Sequence, residues 1–176
     1  MSTLVKQCLL LFACPGDGGE TTVLFKGKPE RAPKDSPLVK FYGALDTAMA
    51  YAFKAAALLP RPQARVMRLA GFALMELGFY VATGRAEHLD RALALYKRAL
   101  KLAYARAGGP PKSWIACASA ECSAVDEARV WIRWAERRAV ELEPAAAKIL
   151  NHLSNLAFEV MLTLPHIEYK SKPLKD

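Results

Sequence analysis

One short stretch of the sequence has the residue types and spacing needed to bind a polyanion. It reads EARVWIRWAERRAV, residues 127–140, and its charged positions include Arg129, Arg133, Glu136, Arg137 and Arg138. Arginine suits phosphate because its planar guanidinium can donate two parallel hydrogen bonds to one phosphate group. The alternative is a solvated, ion-paired helix surface, and this stretch alone favours that plainer interpretation.

The spacing of these residues predicts an amphipathic helix. At about 100° per residue, an α-helix gathers four of the charged residues on one narrow stripe. They are Arg129, Arg133, Glu136 and Arg137. The opposite side carries apolar residues such as Ile132 and Ala135, which predicts burial in a bundle. Trp131 and Trp134 are predicted to lie in the core or at an interface.

A second candidate anion site lies near the N-terminus, in CPGDGGETT, residues 14–22. Glycine lets backbone N–H groups approach an anion closely, so a glycine-rich loop followed by threonines can cradle phosphate. Loops of this composition are more often simple turns. The net charge of +8 also points to an anionic partner. Nucleic acid is disfavoured because the helices flanking the arginine stretch show no continued basic track with aromatic platforms.

The elements that must position these residues are predicted to be helices. Ala and Leu dominate, Gly and Pro cluster in the first 40 residues, and short breaks separate long apolar-periodic segments. We therefore expect an all-α five-helix bundle (residues 38–165), preceded by a loop-rich N-terminal arm (1–37) and followed by a mobile tail (166–176). The predicted helices are Leu38–Leu59, Pro62–Ala82, His88–Arg106, Ser119–Leu142 and a fifth from Pro144 to before Pro165.

The four cysteines, at positions 8, 14, 117 and 122, form no C-x-x-C pair and have no histidines beside them. We therefore predict no metal site and interpret the cysteines as reduced, buried thiols of a cytoplasmic protein. The apolar run at Cys8–Phe12 is shorter than the core of a secretory signal, and no apolar run is long enough to span a bilayer. It is expected to form a buried strand or an extended arm.

Three separated motifs, in order, resemble one family. They are GDGGETTVLFKGKPERAPKDSPLVKFYGALD (residues 16–46), ARVWIRWAERR (128–138) and ILNHLSNLAFEV (149–160). The first is similar to a nucleotide loop that leads into Tyr-Gly-x-x-Asp, and the second to an Arg-x-x-x-Arg-x-x-Glu-Arg helix. The third is similar to a Leu-Asn-Arg-Leu-Ser-Asp helix. With these motifs the chain resembles the PduO-type ATP:cob(I)alamin adenosyltransferases over nearly its whole length.

The resemblance implies a trimer of five-helix bundles with sites between subunits. It implies transfer of the 5′-deoxyadenosyl group of ATP to the reduced cobalt of a corrinoid such as cobalamin, with release of triphosphate and help from Mg²⁺. ATP and the corrinoid are then the expected partners, with no nucleic acid and no membrane. Because cobalt(I) is itself the nucleophile, the protein has to position ATP, neutralise the leaving triphosphate and exclude water.

The resemblance also assigns roles to individual residues. Arg133, Arg129 and Asp46 are the expected catalytic group: Arg133 holds ATP from a neighbouring subunit, and Arg129 pairs with Asp46 across the subunit interface. The remaining residues are expected to bind ATP. They are Gly16, Asp17, Gly19, Thr21, Thr22 and Lys34 of the phosphate loop, Glu136 and Arg137 of the arginine helix, and Asn151.

The chain departs from the family pattern mainly on the corrinoid side. A Phe-Ile-Leu-Pro-Gly-Gly stretch, which lies by the corrinoid in the family, is replaced by WIACAS, residues 114–119. Pro15 replaces a threonine, and Thr47, Ala48 and Met49 replace Glu-Leu-Asn. His152 and Asn155 replace Arg and Asp in the third motif. The alternative is therefore a divergent trimeric ATP-binding protein, a ligand sensor without adenosyl transfer.

Overall fold

The computed structural model describes residues 14–104 and 114–170, and it forms one helical bundle with two small antiparallel sheets. The helices are α1 (Pro37–Leu58), α2 (Gln63–Thr83), α3 (Ala86–Tyr104), α4 (Ala120–Ala139) and α5 (Pro144–Met161). The strands are β1 (Glu20–Phe25), β2 (Lys28–Pro33), β3 (Trp114–Cys117) and β4 (His166–Tyr169). The prediction of a five-helix bundle is confirmed.

Local sequence signals set the ends of the helices. The Ser36 hydroxyl accepts a hydrogen bond from Val39 N at 3.4 Å, and Ser119 accepts one from Cys122 N at 3.2 Å, so serine caps α1 and α4. Proline occupies the first turn of α1 and of α5. Gly84 ends α2 with a φ of +71°, a left-handed conformation that glycine adopts without steric cost.

The core consists largely of alanine and leucine from all five helices. Helix α1 packs against α2 and α4, α3 packs against α2, and α5 packs against α4. Small buried residues such as Ala48 and Ala128 let α1 and α4 approach closely. One described helix, α2, is long and apolar enough to cross a membrane by length and composition, and half of that segment is buried within the bundle. Core helices of bundles pass the same test.

The N-terminal arm forms the hairpin β1–β2, which is docked onto the bundle at its tip. At the tip, Lys26 N donates a hydrogen bond to Val81 O at 3.0 Å and Gly27 N donates one to Ala82 O at 2.8 Å, both at the end of α2. The Tyr42 hydroxyl donates to Leu24 O at 2.7 Å. Burial raises the pKa of Tyr42 to about 12, so this hydroxyl remains a donor at neutral pH.

A buried carboxylate completes this docking. Glu143, between α4 and α5, is 9% exposed. One carboxylate oxygen, Oε2, lies 3.1 Å from Lys26 Nζ in the hairpin. The other, Oε1, accepts a hydrogen bond from the Tyr80 hydroxyl of α2 at 3.1 Å. Burial and then this hydrogen bond raise the pKa of Tyr80. One side chain thus joins the hairpin, α2 and the corner that follows the arginine helix.

Three expectations differ from the structure or lie outside it. The interpretation of the cysteines as reduced thiols is wrong for all three described cysteines: Cys14 is disulfide-bonded, and Cys117 and Cys122 form a disulfide with a Cα–Cα separation of 5.3 Å. The turn between β3 and the first turn of α4 brings them within bonding range. None of the described cysteines is a free thiol. The start of the expected mobile tail forms strand β4, paired with β3. The expected arm at Cys8–Phe12 lies outside the described residues.

We predict that Glu143→Gln lowers the free energy of unfolding by about 1–3 kcal/mol, because it removes a buried charge from its ion pair with Lys26. Chemical denaturation measures this loss. The matched control is Glu127→Gln, which makes the same change in an ion pair whose two side chains are about half exposed. We expect the control to cause no measurable loss. Equal effects of the two substitutions would contradict the structural role of Glu143.

Candidate functional site

Two consecutive turns form the N-terminal loop. Asp17 N donates to Cys14 O and Gly19 N donates to Gly16 O, each at 3.1 Å, while the Asp17 carboxylate accepts from Cys14 N at 2.8 Å. Gly16 and Gly19 have φ values of +96° and +81°, where glycine is strongly favoured. Asp17 therefore shapes the loop. Among the described residues, no hydrogen bond uses the N–H of Gly18, so this donor can face an anion.

The loop borders an open cavity of about 430 Å³ at the base of the hairpin. Its lining includes predicted site residues and residues that sequence reasoning missed: Pro15, Gly16, Glu20, Thr21, Thr22 and Arg31. Lys34 lies beside it, because its backbone N donates to Gly19 O at 2.8 Å and its amine lies close to Gly16. The structure thus brings the predicted phosphate-loop residues together.

Arg31 is the functional candidate that the sequence did not single out. It pairs with Glu20 through Nε at 2.8 Å and an Nη at 2.6 Å, across the mouth of the hairpin. The hairpin register places Arg31 opposite Thr22, which explains why it reaches the cavity. The sequence did not indicate this role for Arg31, because the β2 segment lacks the alternation of polar and apolar residues that is typical of a strand. Without that alternation no register between β1 and β2 could be assigned.

The arginine helix is α4, and its apolar side is buried as predicted. Val125, Ala128, Ile132, Ala135 and Ala139 are buried at helical spacing. Contacts with α1 fix the orientation of the helix about its axis: Trp131 stacks on Tyr51 with ring centroids 6.1 Å apart, and Lys54 pairs with Glu127 at 2.7 Å. This packing turns the opposite side of α4 outward.

The outward side of α4 presents exposed cations beside exposed apolar residues. Arg133, Glu136 and Arg137 form no ion pair with any described residue. The ion-paired helix surface that was the alternative is therefore not seen at these three residues. Val130 is 48% exposed and Trp134 is 39% exposed on the same side. Trp134 packs under the guanidiniums of Arg137 and Arg138 at 5.1 and 4.7 Å, so it lies at the surface and not in the core, and its place at an interface stays a prediction.

The remaining catalytic candidates lie apart within one chain. Arg129 pairs with Asp126, three residues earlier on α4, through Nε at 2.7 Å. Asp46 is exposed on α1 and borders an apolar groove of about 370 Å³ between α1 and α2. It forms no ion pair with any described residue, so its pairing with Arg129 across a subunit interface stays a prediction. Asn151 is exposed on α5.

Two separate candidate half-sites therefore lie in one chain. The first is the loop cavity with Gly16, Thr21, Thr22 and Lys34 around it. The second is the exposed face of α4, and no residue of α4 lines the loop cavity. Within 14–104 and 114–170, no cluster of three His, Cys, Asp or Glu side chains is placed to hold a metal ion.

The segment that replaces the family's corrinoid-side loop is strand β3. Ile115 packs against the core, whereas Trp114 is 80% exposed at the start of the strand. The disulfide between Cys117 and Cys122 ties β3 to the start of α4. An exposed tryptophan on a fixed strand is available to contact a large flat ligand.

Comparison with known proteins gives one family. The sequence pattern of the cobalamin adenosyltransferase family matches residues 11–164. No curated protein matches the chain.

Three similar solved structures are variants of one enzyme. A variant of the PduO-type ATP:corrinoid adenosyltransferase from Lactobacillus reuteri, complexed with cobalamin and ATP, has a TM-score of 0.70 at 19% identity, covering 89% of this chain and 97% of that one. A second variant with the same ligands has a TM-score of 0.68 at 20% identity, covering 88% of this chain and 94% of that one. A third variant, complexed with ATP, has a TM-score of 0.63 at 21% identity, covering 88% of this chain and 97% of that one. At these identities the likeness establishes the fold.

We predict that Gly16→Ala weakens the binding of ATP, used as a phosphate probe, by about tenfold. An added Cβ at this left-handed position would lie 3.1 Å from Glu20 O and from Lys34 Cε. Gly18→Ala is the matched control, because a Cβ there meets nothing within 4 Å. Isothermal titration measures both affinities. A loop without a role in binding would leave the two variants equal.

Proposed function

The chain belongs to the cobalamin adenosyltransferase family, and we propose that it transfers the 5′-deoxyadenosyl group of ATP to the cobalt(I) of a reduced corrinoid. In this reaction the cobalt(I) electron pair attacks C5′ of the ribose, the C5′–O bond breaks and triphosphate leaves. The products are adenosylcobalamin, when the corrinoid is cobalamin, and triphosphate.

The observation that carries the proposal is the pair of phosphate-suited half-sites. The glycine loop offers backbone N–H groups and Lys34 around a cavity, and α4 offers Arg133 and Arg137 without carboxylate partners among the described residues. Unpaired arginines beside an exposed apolar stripe favour a ligand or partner contact over a solvated, ion-paired face. The same residues carry the resemblance to the family.

We assign the chemical roles accordingly. Gly16, Gly19, Thr21 and Thr22 shape and line the loop that cradles the phosphates, and Lys34 neutralises them. Asp17 acts on the loop, since its carboxylate is engaged by Cys14 N. Arg133 and Arg137 stabilise the negative charge that develops on the leaving triphosphate. Glu136 orients these arginines or the nucleotide, and Asn151 hydrogen-bonds near the nucleotide.

The half-sites support a homotrimer as the functional form. They lie apart in one chain, and a head-to-tail ring would bring the loop of one subunit to α4 of the next. Val130 and Trp134 leave an apolar stripe beside the arginines that a second copy would cover. The proposed pair of Arg129 and Asp46 would form at the same contact, with Arg129 leaving or sharing its bond to Asp126.

The family also implies Mg²⁺, and the part of the chain that the structure describes holds no cluster of carboxylates that would form a site for it. Of the nearby carboxylates, Asp17 binds Cys14 N and Glu20 binds Arg31. Mg²⁺ commonly binds through substrate phosphates and water with only one or two carboxylates. We therefore propose that it arrives with ATP as a phosphate-bound counterion, and no step above depends on it.

The alternative function is an ATP-binding ligand sensor that performs no transfer. What favours it is the corrinoid side, where β3 and its disulfide replace the family's loop. The proposed location is cytoplasmic, with no nucleic-acid or membrane partner. The Cys117–Cys122 disulfide is unusual for that compartment, although intracellular proteins of some hyperthermophiles are rich in disulfides.

The experiment that tests the proposal is anaerobic. The protein, magnesium-ATP and chemically reduced cob(I)alamin are mixed, and the cobalt(I) absorption band is followed. ATP-dependent decay with formation of light-sensitive adenosylcobalamin supports the transferase. ATP binding without decay would favour the sensor.

In the same assay we predict that Arg133→Ala lowers turnover by at least about a hundredfold while the fold survives, because one cation facing the leaving triphosphate is lost. Arg138→Ala is the matched control, since it removes an arginine from the same helix that has no assigned role. We expect it to turn over at nearly the wild-type rate. Circular dichroism monitors the fold. Unchanged kinetics of Arg133→Ala would contradict its role.

A mixing experiment tests whether the site is shared between subunits. Neither Arg133→Ala nor the double variant Gly16→Ala, Lys34→Ala should be active alone. Random reassembly of the two into mixed trimers places intact halves together at about a quarter of the sites. We therefore predict recovery of about a quarter of the wild-type activity. A site built within one chain would give no recovery.

A further inference from the structure

Four arginines surround a second cavity at the opposite end of the bundle from the phosphate loop. The cavity has a volume of about 470 Å³ and lies between the start of α2 and the middle of α3. Arg61, Arg65 and Arg68 come from the α2 side and Arg98 from α3. The hairpin tip is bonded to the other end of α2, at Val81, which is roughly 24 Å from Arg65 along the helix.

These four arginines have no carboxylate partners within the described residues. The ion pairs between α2 and α3 lie further along, where Glu76 contacts His88 at 2.7 Å and Arg91 at 3.9 Å. Residues 60–75 and 91–104 contain no Asp or Glu at all. Like charges three or four residues apart on a helix repel each other, so an anion bound here would relieve the repulsion.

The remaining lining of the cavity fits a phosphate chain. The first turn of α2 contributes Pro62 and Ala64, and it carries no acidic residue, so the positive end of the helix dipole adds to the arginines. Phe72 is 43% exposed on the wall and holds its ring against Phe53, with centroids 5.3 Å apart. The volume is that of a small-ligand site. It suits a short phosphate chain better than a protein surface or a duplex.

We propose that this arginine cavity, formed by Arg61, Arg65, Arg68 and Arg98, is a second anion site that binds a chain of two or three phosphates. The chain is either free, as inorganic triphosphate, or carried on a nucleoside. The planar guanidiniums of two helices converge on one anion and donate paired hydrogen bonds to it. When the phosphate chain is carried on a nucleoside, Phe72 offers an aromatic face on which the base stacks. The site is independent of adenosyl transfer.

The test is isothermal titration of the full-length protein with inorganic triphosphate, in the background Lys34→Ala, Arg133→Ala, Arg137→Ala, which removes the assigned cations of both the phosphate loop and α4. Adding Arg65→Ala and Arg68→Ala should weaken binding by at least about tenfold. The matched control adds Lys97→Ala and Lys101→Ala, which removes the same charge from exposed positions on α3 that do not line the cavity. We expect the control to change binding little. Equal losses would overturn the proposal and indicate a diffuse charge effect.

Two further measurements complete the test. If the ligand is the nucleoside form, Phe72→Ala should weaken the binding of ATP but not the binding of triphosphate. If the ligand is the free phosphate chain, Phe72→Ala should weaken the binding of neither. Tight binding of a polyglutamate peptide to the arginines without binding of triphosphate would overturn the proposal in favour of a protein partner. Arg65→Ala, Arg68→Ala in the otherwise wild-type chain should retain adenosyl transfer, so the two proposals fail separately.

Discussion

The buried carboxylate of Glu143 is the interaction on which the placement of the candidate site depends. It lies at the corner after the arginine helix, and it binds Lys26 of the hairpin and Tyr80 of α2, each at 3.1 Å. A carboxylate that is 9% exposed needs such partners because burial without them would be costly. The hairpin is thereby held at a fixed place on the bundle, and the phosphate loop at its base is held with it.

The fixed hairpin explains why the two half-sites stay apart in one chain. The loop cavity lies at the base of β1–β2, and packing of Trp131 on Tyr51 turns the arginine stripe of α4 outward. No residue of α4 lines the loop cavity. A ligand held jointly with another copy, as proposed, would explain why Arg133 and Arg137 have no carboxylate partner among the described residues although Glu136 lies nearby on the same helix.

The helices were predictable because their signals are local: apolar residues repeat at helical spacing, serines and prolines mark the starts, and Gly84 marks an end. The β1–β2 hairpin was not predicted, since a Gly- and Pro-rich arm lacks strand alternation and its docking on Glu143 is a long-range contact. The disulfide was missed because the spacing of Cys117 and Cys122 matches no familiar motif, and only the fold brings them together. The bond between Arg129 and Asp126 has a spacing of three and was visible in the sequence, but the family resemblance directed attention to Asp46.

The central claim is that the phosphates of ATP are held between the loop of one copy and the arginine helix of another. A crystal structure of the protein with bound ATP tests it most directly. The account predicts phosphate oxygens within hydrogen-bond distance of the Gly16–Thr22 loop of one subunit and of Arg133 and Arg137 of its neighbour. Phosphates held by the loop and α4 of the same chain, or held by neither, would contradict it.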